Sequence, residues 1–361
     1  MALLFAPRLW ANSDSISDLI YRFDSYANAL DKLSNGKHKL TILGMASEGT
    51  QLKNFPNSRY LIVLIFKKNL LGRMKLFMQL IRLISKERVA IAGDPFVSFW
   101  ILWMMKLFFF RKLQIQISIH GLPLRKSGPR GFSLRLLALR SCSQKADSIR
   151  VVSDHLKELL QNSWGISRNK IFIAPIPVRI APVLHVVPRR KEILIVGRLH
   201  EERGVLLSLE IGLRVLVENS DTSLVLIGDG PLKSKVESLV LKSNVGGRVN
   251  LIGQLPHSEV LERMAQSLVL LSSAPEEGFG LAIREAAYSG LSVVALRNLG
   301  TIEAERELAP ILSVFSTPGE AFIACQNGLR NQLSESVVER VRNNANAFNE
   351  DSLRKLASSW T

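Results

Sequence analysis

The stretch LVLLSSAPEEGFGLAIREAAYSGLSVVAL, residues 268 to 296, opens on an apolar run suited to a buried strand, passes through the loop EEGFG and closes on a second such run, SVVAL. The Ala-rich segment between them, starting near Gly280, has the composition of a helix, so the whole reads as one strand–helix–strand unit. The same alternation continues outward. EILIVG at 192–197, SLVLIG at 223–228 and VNLIG at 249–253 are further short apolar runs separated by helical stretches. Runs of this length spaced by ~20–30 residues predict a parallel sheet covered by helices on both faces, a doubly wound α/β domain.

The first half repeats the pattern in ALLFAP, KLTILGM, YLIVLIF, VAIAGD, IQISIH and SIRVVS. A chain of 361 residues exceeds what one core supports, so two domains of the same class are expected. PIPVRIAPVLHVVPRR, residues 175–190, has four prolines and no period, and reads as the linker. The expected division is a first domain over 1–182, a second over 183–340 and a polar helical tail over 341–361.

Composition narrows the function classes. Hydrophobic residues at 47% and charged residues at 22% exclude a disordered or fibrous chain. The two cysteines, Cys142 and Cys325, have neither disulfide-framework nor zinc spacing, which predicts a reducing, cytoplasmic setting and no structural metal. MALLFAPRLW lacks a basic leader region and reads as a first strand. FVSFWILWMM, residues 96–105, falls short of the ~18 apolar residues a spanning helix needs.

The net charge of +16 is lopsided: residues 1–180 hold 28 Lys and Arg against 10 Asp and Glu, whereas 181–361 hold 19 against 21. Such a field suits phosphate, nucleic acid or an anionic membrane. No nucleic-acid module accompanies it, so nucleic acid is set aside. NLLGRMKLFMQLIRLISK, residues 69–86, laid on a helix puts Lys75, Gln79, Arg82 and Lys86 on one narrow stripe and apolar residues on the rest. The reading favoured by precedent is a helix that covers the sheet, with peripheral membrane contact as its rival. Arg111, Lys112, Arg125, Lys126, Arg130, Arg135 and Arg140 add further positive charge.

Ligands of doubly wound domains sit at the loops leaving the strands. After EILIV comes GRLHEERG, where Gly197 frees the backbone and Arg198 and Arg203 offer two cations able to clamp a diphosphate. After SLVLI comes GDGP, with Gly228 and Gly230 forming a tight turn whose spacing is not that of a P-loop. In the opening stretch, the glycines at 278 and 280 let a ligand reach the N–H groups of the helix start. Glu277 and Glu285 flank that start in an E-x7-E arrangement. Carboxylates beside a diphosphate would repel it, so this pair reads as recognition of neutral sugar or ribose hydroxyls.

In order and spacing over roughly residues 190 to 305, GRLHEERG, GDGP, EEGFGLAIREAAYSG and NLGTIE resemble the nucleotide-binding domain of retaining GT-B glycosyltransferases, family 4 (glycosyl transferases group 1). The resemblance implies two Rossmann-like domains facing a central cleft, with the C-terminal tail crossing back to the first. It implies that Arg198 and Arg203 bind the donor diphosphate, the second being lysine in the family. Glu277 would contact the donor sugar and Glu285 the ribose, while Gly278, Phe279, Gly280 and Leu281 line the donor at the helix start. Gly197, Gly228 and Gly253 would let its backbone neighbours approach. Gly300 and Glu303 match part of a family Gly-Gly-x-x-Glu stretch.

In the first half AGDPF (92–96), ISIHG (117–121), ADSIRVVSDHLKELL (146–160) and IFIAPIPV (171–178) carry the similarity, and His120 matches a histidine near the donor sugar. The family's glycine-rich first loop is absent, leaving Arg8, Asn12 and Ser13 there instead. The implied reaction moves a sugar from a nucleotide-diphosphate donor to a hydroxyl of a glycan or lipid-linked acceptor, with retention, no cofactor and no metal, in surface polysaccharide or glycolipid synthesis. A sugar-nucleotide epimerase of the same fold and a non-catalytic partner protein are the rival readings.

Overall fold

The computed structural model describes residues 2–10, 16–46, 61–86, 88–121, 128–180 and 189–361. Arg125 and Lys126 lie outside the described residues, as do Asn12 and Ser13, and the side chains of Arg8 and Arg130 are likewise outside them. The chain forms two units, one of residues 1–177 with 350–361 and one of 178–349.

In the first unit the apolar runs become seven parallel strands: β1 (Ala2–Trp10), β2 (Leu40–Ala46), β3 (Leu61–Lys67), β4 (Val89–Ala92), β5 (Gln114–Ile119), β6 (Ser148–Val151) and β7 (Ile171–Ile173). They pair in the order β3-β2-β1-β4-β5-β6-β7. In the second unit β8 (Arg190–Val196), β9 (Ser223–Ile227), β10 (Val249–Gly253), β11 (Ser267–Ser272), β12 (Ser292–Leu296) and β13 (Leu312–Phe315) pair as β10-β9-β8-β11-β12-β13, all parallel. Both orders are doubly wound, each reversing direction once near the middle of the sheet.

The strands are nearly continuous in Val, Ile and Leu because helices cover both faces. β9 and β11 are buried over almost their whole length. β7 and β13, of three and four residues, were not among the expected strands.

The division falls at Pro177–Val178, ahead of the expected 182. Asn349 explains it: its side chain accepts from the Val178 N–H at 2.8 Å and donates to the Val178 carbonyl at 2.8 Å, tying residue 178 to the second unit. Beyond Asn349 the helix Glu335–Ser358 continues into the core of the first unit, so residues 341–349 group with the second unit and only 350–361 with the first. There Trp360 is buried, donates from Nε1 to Gln116 Oε1 at 2.8 Å and meets Tyr26 edge to face at 6.2 Å.

Candidate functional site

The second unit's sheet reverses between β8 and β11. The connection from β8 leads toward β9 and that from β11 toward β12, so the loops after β8 and β11 diverge at their carboxyl ends and leave a crevice. GRLHEERG and APEEGFG occupy those two loops.

Missing side chains hold the loops together. A Cβ on Gly204 would lie 1.8 Å from the Ser273 carbonyl oxygen, and one on Gly300 would lie 2.2 Å from that of Glu277. Gly228 adopts φ +141° with its Cα packed on the Gly197 carbonyl, where a Cβ would come to 2.0 Å. Only glycine permits such backbone contact. Hydrogen bonds close the arrangement. The Leu199 N–H donates to the Asp229 carbonyl at 2.9 Å, the Gly228 N–H to the Gly253 carbonyl at 2.7 Å, and Asn298 Nδ2 to the Ala274 carbonyl at 3.1 Å. Asn298 also caps the helix Leu299–Leu308 through a reciprocal box with Thr301. Strand-exit loops remote in the chain therefore form one platform, in which Arg203 and Glu277 meet across 74 positions.

Arg203, at the end of a 3₁₀ turn, donates from Nη1 to Glu277 Oε1 at 3.0 Å. Burial pushes the Glu277 carboxyl above its ordinary range, opposed by the Arg203 and Arg284 cations and by the Gly280 N–H, which is thus turned toward Glu277. Arg198 is different: its guanidinium is 68% exposed and reaches only Glu202, at 3.5 Å, a contact of little energetic worth. Glu285, one turn into the helix Leu281–Tyr288, is buried, and its Oε1 lies 2.8 Å from His257 Nε2. Gly280 caps this helix at φ +70°, and Phe279 is buried with its ring stacked on Phe348 at 6.1 Å. Gly278 and Leu281 are half-buried beside it.

Two residues that sequence reasoning passed over shape the site. His257 starts the helix His257–Gln266 and holds Glu285 from 28 positions away, and an isolated histidine carries no motif that would have revealed it. Arg284 is 3% exposed; it donates to the Phe279 carbonyl, lies 4.0 Å over the Phe279 ring and pairs with Glu307 at 2.8 Å. It pins the loop EEGFG from below. Its place inside the E-x7-E interval was the available signal.

In the first unit His120 follows β5 and is solvent-accessible at its edge, yet the surrounding protein desolvates it and, with Arg150 and Arg22 nearby, pushes its imidazole down to about 3. It is neutral at physiological pH. Asp94 of AGDPF accepts from the N–H groups of Phe96 and Val97 at 2.9 and 2.6 Å and from Ser98, so that mark is a helix-start brace. Among the described residues no cluster of His, Cys, Asp and Glu could hold a metal ion.

With this geometry in view, residues 180–313 match the model of the family described as glycosyl transferases group 1. Over that segment the chain is similar to the glycosyl transferases group 1 family. The group 1 segment contains the loops above up to the cap of the helix Leu299–Leu308. Among curated relatives, the chain is 29% identical over 165 residues to a phosphatidylinositol N-acetylglucosaminyltransferase subunit of Arabidopsis thaliana, covering 44% of this chain and 36% of that protein. It is 25% identical over 218 residues to an uncharacterized glycosyltransferase of Bacillus subtilis, covering 58% of this chain and 59% of that one. The chain thus spans less than two thirds of the length of these relatives.

Solved structures match over almost the whole chain. Sucrose-phosphate synthase from Thermosynechococcus elongatus superposes with a TM-score of 0.73 at 17% identity, over 98% of this chain and 96% of that one. Anabaena HepE in complex with UDP and glucose gives 0.72 at 14% identity, over 99% and 98%. The fold is GT-B, built of two Rossmann-like units.

Proposed function

We propose that this protein is a retaining glycosyltransferase that moves a sugar from a nucleotide-diphosphate donor to a hydroxyl of a glycan or lipid-linked acceptor, in polysaccharide or glycolipid synthesis. The observation that carries the proposal is the meeting of Arg203 and Glu277 at the switch point of the second sheet, on a platform of loops that glycine contacts hold together.

In this reading the donor diphosphate takes Arg203 from Glu277 and recruits the outward-facing guanidinium of Arg198, so two cations face the charge that develops on the leaving group. The N–H groups around Gly278, Phe279 and Gly280 add a positive helix end. Glu277, released from Arg203, accepts from a donor-sugar hydroxyl. Glu285, oriented by His257, accepts from the ribose hydroxyls. Gly197 and Gly253 leave room for the nucleotide, while Gly228 packs on the Gly197 carbonyl and holds the two loops together. Because the protein supplies the compensating charge itself, the reaction runs without a divalent ion. The two cysteines are buried and free, in keeping with a cytoplasmic location.

UDP-sugars are the first donors to test, since HepE is bound to UDP and glucose and the pneumococcal transferase GtfA, also similar in fold, to UDP and GlcNAc. Calorimetric titration with a panel of nucleotide sugars should find one tight binder, with Arg198→Ala weakening it by about 1.5–3 kcal/mol. Turnover with a lipid-linked acceptor should persist in EDTA and fall strongly in Glu277→Gln. Wild-type donor binding and turnover in both variants would overturn the assignment, and an isomerised donor formed without acceptor would point to an epimerase.

A further inference from the structure

The helix Leu70–Ile84 follows β3 and packs on the first sheet through Gly72, Leu76, Leu80 and Ile84, which form one buried stripe. Covering a sheet requires no more than that stripe. The helix has a second apolar stripe on the opposite side: Leu70, Leu71, Met74, Phe77, Met78 and Ile81 are all between 40% and 76% exposed. Lys75, Arg82 and Lys86, also exposed, run along its edge, as the helical period requires of positions seven and four apart.

The topology extends this surface. With right-handed crossovers, connections that move the same way across a parallel sheet lie on the same face. The steps β3 to β4, β4 to β5 and β5 to β6 all move one way, so the helices Leu70–Ile84, Ser98–Phe108 and Gly128–Lys145 share a face, opposite the helix Ile16–Ser34 that joins β1 to β2. The other two of these helices also expose apolar groups. Phe108 and Phe109 are 63% and 77% exposed at the end of one, and Leu134 and Leu137 are 69% and 60% exposed on the other. Arg111, Lys112, Arg135 and Arg140 stand exposed among them. No aspartate or glutamate occurs from residue 49 to 86 or from 95 to 146, so none of the three helices carries a negative charge. The helix Asp154–Trp164, set on the same face by the step from β6 to β7, brings Asp154 and Glu158 to the far side of that face.

We propose that this face of the first unit lies on an anionic lipid surface, with the outer stripe of Leu70–Ile84 entering the headgroup boundary and the cations pairing with acidic headgroups. Apolar groups exposed on such a scale on three helices that carry cations and no acid match the two attractions an interfacial helix uses. No helix among the described residues is long and apolar enough to cross a membrane, so the contact is one of lying on the surface. The proposal does not depend on the assigned reaction; it would hold for any ligand of the second unit.

Co-sedimentation of the full chain with vesicles tests it. Binding to vesicles containing phosphatidylglycerol is expected at low salt, with little binding to pure phosphatidylcholine and release in high salt. Phe77→Glu with Met78→Glu should abolish binding, and Arg82→Ala with Lys86→Ala should weaken it by about fivefold per cation. Circular dichroism and nucleotide-sugar binding should stay at wild-type values in all of them, since these side chains face solvent. Absence of vesicle binding at low salt, or wild-type binding by both double variants, would overturn the proposal. A concentration-dependent dimer that the same substitutions abolish, without vesicle binding, would overturn it in favour of a second copy of the chain.

Discussion

Glu277 shows how one side chain can serve a site at the expense of stability. Its carboxyl is desolvated beneath the loop, and the Arg203 pair, about half open to water on the arginine side, does not fully offset this. The folded state therefore holds its proton more tightly than the unfolded chain, so stability is lost as pH rises through the carboxylate range toward the folded value. Glu277→Gln removes the ionising group. The variant should melt higher than wild type at pH 8, with the gap closing as the pH falls toward 4, even while its turnover is low. A thermal-shift series across pH checks this; a variant that melts lower at pH 8 would show the Arg203 pair to be the larger effect. Glu285 differs, being buried against His257, which fixes its carboxylate without an exposed cation. E-x7-E spacing put both glutamates beside one helix start, but their opposite partners belong to loops and helices remote in the chain.

At the scale of elements, the site is a set of strand-exit loops bound to each other through glycine contacts. Gly300→Ala is the sharpest probe, because its Cβ would meet the Glu277 carbonyl at 2.2 Å, a backbone atom that cannot rotate away. A loss of about 1–3 kcal/mol in urea unfolding is expected, as for other overpacked positions. Donor affinity should fall with it as the Glu277 loop shifts. Unchanged stability and affinity would mean that the loop is softer than its packing suggests. Most strands were legible as apolar runs. β7 and β13 were not, although β4 and β6, no longer than β13, were. The helix Leu70–Ile84 was legible as a helix with a basic edge, but its period shows two apolar stripes equally, and only packing decides that the one containing Leu76 and Leu80 is buried.

For the whole molecule, the last residues are structural to the first unit. Trp360 fills its core beside Tyr26 and satisfies the buried Gln116, while Leu356 and Ala357 join the same cluster. Trp360→Ala leaves a large cavity and an unpaired amide, so a loss of about 3–5 kcal/mol is expected. Chemical denaturation followed by unit-specific probes should show the first unit unfolding early and the second unchanged. A cooperative loss in both would mean that the units do not unfold independently. Arg150 plays a related part near the boundary, donating to the carbonyls of Ala174 and Pro175 at 2.7 and 2.8 Å from a buried position. SIRVVS marked a strand, with nothing to show that its arginine would brace the segment before residue 178.

What the sequence alone determined is everything local or periodic: the doubly wound class, the alternation of strands with helices, the glycine-bearing loops and the long acid-free stretches of the first half. These follow from side-chain volume, backbone freedom and charge at known spacings. Tertiary structure decided which groups satisfy each other across the chain: Arg203 on Glu277, His257 on Glu285, Arg284 on Phe279 and Glu307, Asn349 on Val178 and Trp360 on Gln116. Desolvated polar groups must find partners wherever the sheet order brings them, and sheet order is set by crossovers that no local pattern encodes.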